Sequence, residues 1–423
     1  MKNLLLGIIL LLLSTSGSAD TSYQYPIDDP LIATVVGTPK ADMAELPNRI
    51  PRKEMTVVVF PEREQANIIP RKALQFTLVK QKDTAPLVFS IAGTGSSHHS
   101  ANMQLLEKAF YKNGFHVVSL PSPTYSNFIV TASSSQMPGD ISSDSEDLYY
   151  AMQKIWQEIK DRVNVSEFYL TGYSLGGSQS AFVARIDEDK KAFNFKKVLM
   201  INPPVSLYNS VTILDDMLRN NIPGGSAGFK KFFDQTWEQF LETYREEDHV
   251  DFSDDFLFAI YKKRKNNIDP NRVAAIIGLS FRLSAANMVV VSDAMNNSGY
   301  ILPKNHHFKV RETTTDYFKV AMRTSFEDYF QDMLHPYITA KQPGITQQQL
   351  IQESSLETMT DYLRSTNKIG VHHNEDDIIL APGEIDYFRE TFGDRAIIYP
   401  KGGHCGNMAY RDNVAAIVEF FNQ

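Results

Sequence analysis

The spacing of apolar positions changes character several times along the chain. Between Thr56 and Ile91, three short β-rich runs (Thr56–Phe60, Leu74–Val79 and Leu87–Ile91) are separated by charged or Pro-containing stretches, and the first two predict a hairpin. A strict alternation follows. Met103, Leu105, Leu106, Ala109 and Phe110 fall at helical spacing within Ala101–Asn113, and Phe115–Leu120 reads as a strand. Asp144–Arg162 then predicts a helix, Phe168–Leu170 a strand, Gly177–Ile186 a helix and Val198–Ile201 a strand. Strands this apolar, interleaved with helices, predict an α/β fold with a mostly parallel sheet covered on both faces.

From about Ser206 to Thr366 the pattern becomes helical throughout. Phe229, Phe232, Phe233, Trp237, Phe240, Leu241 and Tyr244 form an aromatic stripe at spacings of three and four, expected to pack on the core. Asp269-Pro270 supplies a capping residue followed by Pro at the first helical position, and Asp316–Leu334 and Thr346–Leu363 predict two further helices. The strand–helix rhythm resumes with Lys368–His372, a helix near Glu384–Thr391, the strand Ala396–Tyr399 and a last helix Asn413–Phe421. The predicted organisation is a leader over 1–19, an extended N-terminal arm over 20–55, a core in two parts over 56–204 and 367–423, and a helical cap inserted over 205–366.

The leader rests on a charged start, Met1-Lys2-Asn3, an apolar run Leu4–Leu13 and a small polar stretch ending at Ala19. That run is about half the ~20 residues a membrane span requires, so cleavage after Ala19 is expected rather than anchoring. No later stretch reads as long and apolar enough to cross a membrane, so the mature chain is expected to hold no stable transmembrane segment. Cys405 is the only cysteine, which excludes an intrachain disulfide. An exported chain without disulfides fits the bacterial envelope, either periplasmic or secreted. Net charge is −8, and becomes −9 once the positive charge of Lys2 leaves with the leader, which argues against a nucleic-acid partner.

The chemistry centres on Gly172-Tyr173-Ser174-Leu175-Gly176, set at the end of the apolar run Phe168–Leu170 and followed by the small residues Gly177, Ser178, Ser180 and Ala181. Such a pentapeptide turns sharply from strand to helix and holds the serine hydroxyl out for attack. A serine nucleophile needs a base, and the base needs a carboxylate to fix its tautomer. In this arrangement the acid and then the histidine follow in chain order. Tyr399-Pro400-Lys401-Gly402-Gly403-His404 follows the last strand, making His404 the candidate base. His373-Asn374-Glu375-Asp376-Asp377 follows the strand before it. Asp377 is favoured over Asp376 because it directly precedes the apolar Ile378-Ile379-Leu380. The oxyanion would be held by the N–H of Leu175 and by that of Thr94, in the glycine-flanked loop after Leu87–Ile91.

With these residues in place the chain resembles the α/β-hydrolases over about Thr56–Pro204 and Lys368–Gln423. Gly93-Thr94-Gly95 is similar to their oxyanion loop, Gly172–Gly176 to the nucleophile elbow, Asn374–Leu380 to the acid turn and Gly402–His404 to the histidine loop. The chain departs from the pattern in carrying Ala92 where many members place His, and in the size of its helical insertion. The resemblance implies a cofactor-free serine hydrolase with Ser174, His404 and Asp377 as its triad. Its expected substrate is a small-molecule or lipid-like acyl compound, most simply a carboxyl ester. A peptidase or acyltransferase with the same triad is the alternative among enzymes, and a catalytically silent envelope binding protein is the alternative outside them. The doublets His98-His99, His306-His307 and His372-His373 are not expected to bind metal, since adjacent side chains on an extended segment point opposite ways. His98-His99 are expected at the surface, and Cys405 is expected as a small buried packing residue.

Overall fold

The computed structural model describes residues 23–63, 72–246, 269–306, 308 and 312–423, so the leader expected over 1–19 lies outside the described residues. The first half of the chain contains α1 (Pro30–Val36), β1 (Arg52–Val57), β2 (Leu74–Val79), β3 (Ala85–Ile91), α2 (Ala101–Lys112), β4 (His116–Leu120), α3 (Ser126–Thr131) and α4 (Ile141–Ile159). It continues through β5 (Val165–Tyr173), α5 (Leu175–Lys190), β6 (Val198–Ile201), α6 (Leu207–Asn221) and α7 (Gly225–Glu246). After the rest of the helical insertion come β7 (Ile369–Asn374) and β8 (Ala396–Tyr399).

These strands form one eight-stranded sheet in the order β1-β2-β4-β3-β5-β6-β7-β8. β2 runs antiparallel to both its neighbours, and every other pairing is parallel. The strands beside β5 are apolar because both faces are covered. One face packs on α4 and α5 through Leu148, Met152, Ile155, Ala181 and Phe182, and the other on α2 and helix Arg411–Asn422 through Met103, Phe110, Ile417 and Phe421. This is the α/β-hydrolase fold with a helical insertion. β1 begins four residues earlier than the sequence predicts. As an edge strand it leaves Lys53 and Glu54 in water, so charged residues belong to a strand that a search for apolar runs starts too late.

At the centre of the sheet the chain leaves β5, turns at Ser174 (φ 54°, ψ −128°) and enters α5 at Leu175. That conformation costs a non-glycine residue about 1–3 kcal/mol, and its neighbours hold it there. A side chain at Gly172 would put its Cβ 2.2 Å from the carbonyl oxygen of Gly176, and one at Gly176 would sit 2.4 Å from that of Ile91. The small residues after the turn let α5 lie against the sheet, where Ser178 Oγ donates to the Pro204 carbonyl at 2.8 Å.

The insertion is helical in its described residues, but less continuous than its sequence pattern. The helix predicted over 316–334 is divided: Thr315–Ala321 ends, and a capping box at Ser325 and Asp328 starts Phe326–Tyr329, followed by a wider π-helical turn at Phe330–Leu334. The break buries Phe326, whose N–H donates to Asp215 at 2.7 Å. The helix predicted over 346–363 is likewise interrupted at Ser354–Ser355, where the Leu356 N–H returns to the Val205 carbonyl at 2.9 Å. The long helix Pro270–Asn296 is long and apolar enough to cross a membrane, which the sequence reading had not recognised. Here 78% of its most apolar stretch is buried inside the protein. It packs on α6, with Gly278 against the α6 backbone and a buried Arg282–Asp215 ion pair tying the two together. Of the aromatic stripe, Phe229, Phe232 and Phe233 join this cap cluster rather than the sheet. The side chains of Trp237, Phe240, Leu241 and Tyr244 lie outside the described residues.

The N-terminal arm is not extended throughout: Asp29 caps the short helix α1, which ends at Gly37. Gly176→Ala is expected to destabilise the protein by roughly 3 kcal/mol, because its new methyl meets carbonyl groups on β3 that cannot move aside. Urea unfolding measures this, and a midpoint equal to that of the unaltered protein would contradict the packing described.

Candidate active site

The three strand ends and loops singled out in the sequence converge on one point. Ser174 Oγ lies 2.9 Å from His404 Nε2, and His404 Nδ1 lies 3.1 and 3.0 Å from the two carboxylate oxygens of Asp377. With Nδ1 protonated toward Asp377, Nε2 is left to accept from the serine hydroxyl. Asp377 is buried, and its Oδ2 also accepts from Asn202 Nδ2 at 2.9 Å while Oδ1 accepts from the Ile379 N–H at 3.1 Å. Asp376 is directed elsewhere, accepting the Gly403 N–H at 2.9 Å and so shaping the histidine loop.

The electrostatics follow from these contacts. Burial works to raise the Asp377 carboxyl, but the adjacent His404 and His373 together with its hydrogen bonds hold it below the usual carboxylate range. Burial works to lower His404, whose side chain keeps 17% exposure, yet Asp377 and Cys405 lift it well above the ordinary histidine value. His373 is fully buried: it donates from Nε2 to the Pro203 carbonyl at 2.9 Å, and burial pushes it down while Asp377 works the other way.

Thr94 and Leu175 both line a cleft of about 140 Å³ around Ser174 and His404. Among the described residues neither backbone N–H is taken up by a hydrogen bond within the chain, whereas Gly95 N–H donates to Thr124 Oγ1 at 2.7 Å. Apolar residues of the cap, including Val211, Leu214, Ile277 and Phe281, close the cleft from above. A second, smaller cavity of about 50 Å³ adjoins it, sharing Thr94, Leu175, Leu207 and Val211 and running on to Met288, Phe330 and Leu334. Among the described residues Asp144 is the only acidic side chain lining that cavity, and burial pushes its carboxyl well above the usual range.

Several contributors were not visible in the sequence. Thr34 of α1 accepts the His404 N–H at 2.8 Å, and Thr34 also lines the cleft. Tyr25 and Thr38 donate to the Gly406 carbonyl at 3.1 and 3.0 Å, and Asn374 Nδ2 donates to the Gly403 carbonyl at 2.7 Å. The arm therefore clamps the histidine loop. Thr34 follows a capped Pro-initiated turn that could have announced α1, but no local signal places it against His404. Two other expectations need correction. His98 is buried, not at the surface, because Ser97–Ser100 turn inward after the oxyanion loop. Cys405 is partly exposed and lines the cleft at φ 60°, its Sγ 3.8 Å from His404 Nε2.

A scan against protein-family models finds no match, and a search of the curated proteins finds none. Solved structures do superpose over most of the chain. They include a proline iminopeptidase from Mycobacterium smegmatis (13% identity, TM-score 0.43, covering 88% of this chain and 98% of that one). Est1E from Butyrivibrio proteoclasticus superposes at 11% identity and TM-score 0.38, covering 87% and 97%. The thioesterase domain from the curacin biosynthetic pathway gives 12% identity and TM-score 0.38, covering 89% and 100%. Similarity this distant carries no argument about substrate. The fold rests on the strand order and on the turn between β5 and α5.

Asp377→Asn is expected to lower the His404 pKa, since the removed carboxylate is what raises it, while Asp376→Asn leaves it close to its value in the unaltered protein. The imidazole ¹³C shift followed against pH reads this directly, and a larger effect from Asp376→Asn would move the pairing to that residue. The sign carries over to stability. A histidine raised on folding stabilises fully below about pH 6.5 and loses that contribution as pH climbs through its folded value. The stability gap between the protein and Asp377→Asn should therefore narrow toward alkaline pH.

Proposed function

We propose that this protein is a serine hydrolase that cleaves carboxyl esters of apolar acyl groups through a covalent acyl-enzyme. The reading is carried by the continuous hydrogen-bonded chain from Ser174 through His404 to Asp377, in a cleft also lined by Thr94 and Leu175, whose N–H groups have no acceptor among the described residues. Ser174 Oγ attacks the acyl carbon as His404 Nε2 takes its proton, and the Thr94 and Leu175 N–H groups stabilise the oxyanion. His404 returns the proton to the leaving alcohol, then activates a water that releases the acid and frees the serine. No step calls for a cofactor. Because His404 must begin neutral, activity should rise with pH through a limb above the ordinary histidine range.

The apolar cavity behind Thr94 and Leu175 supports an acyl chain as the part of the substrate it receives. A peptidase gripping an amino terminus would need an ionised carboxylate there, and the burial that pushes Asp144 up works against its charged form. The charged start and short apolar run within residues 1–19, read as a leader, support action in the bacterial envelope.

Fluorophosphonate labelling tests the nucleophile without knowledge of the substrate. The adduct is expected on Ser174, and Ser174→Ala should reduce ester turnover by about 10⁴-fold or more with little change in melting temperature. A folded protein that takes no label and hydrolyses no ester would favour the silent binding protein instead. Val211→Trp, where the two cavities meet, is expected to cut kcat/KM for octanoyl esters by about tenfold or more while sparing acetyl esters. Equal losses on both would remove the acyl-chain assignment.

A further inference from the structure

We propose that Glu54, His98 and His99 form a binding site for a divalent transition-metal ion of the zinc class at the edge of the sheet. None of the three lines the cleft or its adjoining cavity. Adjacent histidines point apart only where the backbone is extended, and here the backbone turns. The two imidazoles lie edge to face with centroids 4.8 Å apart. β1, the edge strand, brings the Glu54 carboxylate to them, and one ligand atom from each of the three residues lies within 4.8 Å of the others.

Two imidazole nitrogens and one carboxylate oxygen, which water would complete as a fourth ligand, form a donor set that suits zinc and its neighbours. Burial is graded across the site. His98 is buried and fixes its position, His99 is half-buried and Glu54 is exposed, so an ion can enter from solvent. A tetrahedral sphere with bonds of about 2.0–2.1 Å needs donors about 3.4 Å apart, so the side chains must draw in by about an ångström. Glu54 and His99 have the freedom to do so. Arg52 Nη1 stands 3.8 Å from Glu54, but its close partner is the buried Glu107, at 2.7 Å, so Glu54 is held loosely and its charge remains available. His99 Nδ1 is buried with no hydrogen-bond partner among the described residues, a cost that ligation would remove. The bound ion would tie β1 to the turn that follows the oxyanion loop, a structural role separate from the chemistry at Ser174.

The test is calorimetric titration of Zn²⁺ into the purified, EDTA-stripped protein, with Co²⁺ absorbance reporting the coordination geometry. One ion per chain is expected, with affinity falling about tenfold or more in both His99→Ala and Glu54→Gln. These two positions are chosen because loss of the buried His98 could disturb the fold itself. Absence of saturable binding would overturn the site. So would binding unchanged in both variants, which would place the ion elsewhere, such as at His404 and Cys405. Neither result bears on the serine chemistry, which fluorophosphonate labelling reads independently.

Discussion

The contact on which the structure depends is the approach of Gly176 to the carbonyl groups at the end of β3. At that separation only hydrogen fits. The closeness forces Ser174 into its strained turn, starts α5 at the centre of the sheet and sets the Leu175 N–H beside Thr94. The nucleophile and both candidate oxyanion donors are therefore positioned by one steric fact. The strain is sustained by the packing of α5 on β5 and β6 and by the Ser174 N–H, which donates to the Ile201 carbonyl at 2.8 Å.

Around that point the protein combines two kinds of support. The sheet and its helices supply a rigid apolar platform, while the cap adds its own apolar cluster above the cleft, fixed by the buried Arg282–Asp215 pair. Such a pair contributes little net stability, but breaking it leaves a charge stranded, so it favours one seating of Pro270–Asn296 on α6 over others. The outcome is an apolar space next to a polar, hydrogen-bonded strip. An acyl bond has those two characters, with a polar carbonyl joined to a hydrocarbon.

How much could be read in the sequence depended on the range over which each feature is written. The elbow, the acid turn and the histidine loop are local: each needs a strand end and a few particular residues, and Ser174, Asp377 and His404 could be named from them. Asn202, Thr34 and Tyr25 could not, because their roles depend on contacts with distant segments and their own neighbourhoods look ordinary. The cap helices were misjudged at their breaks because Ser325 and Ser354–Ser355 interrupt an otherwise regular period, and periodicity averages over such points. His98 is buried because the doublet sits on a turn, and two adjacent histidines carry no local sign of whether their backbone turns or extends. The apolar character of Pro270–Asn296 was diluted in the sequence by the polar residues it uses inside the cap, among them Arg282 and Asp293.

The clamp of the arm on the histidine loop has a consequence for the order in which the protein is made. Thr34 and His404 are 370 positions apart, and Tyr23, which donates to Asn413, is 390 positions from its partner. Contacts between such remote segments close the longest loops in the chain, and they form after local strands and helices have condensed. Thr34 thus emerges 370 positions before the residue it braces and must wait for it during synthesis. Until the two ends meet, the histidine loop lacks its brace, and a partly made chain holds a serine turn without a settled base.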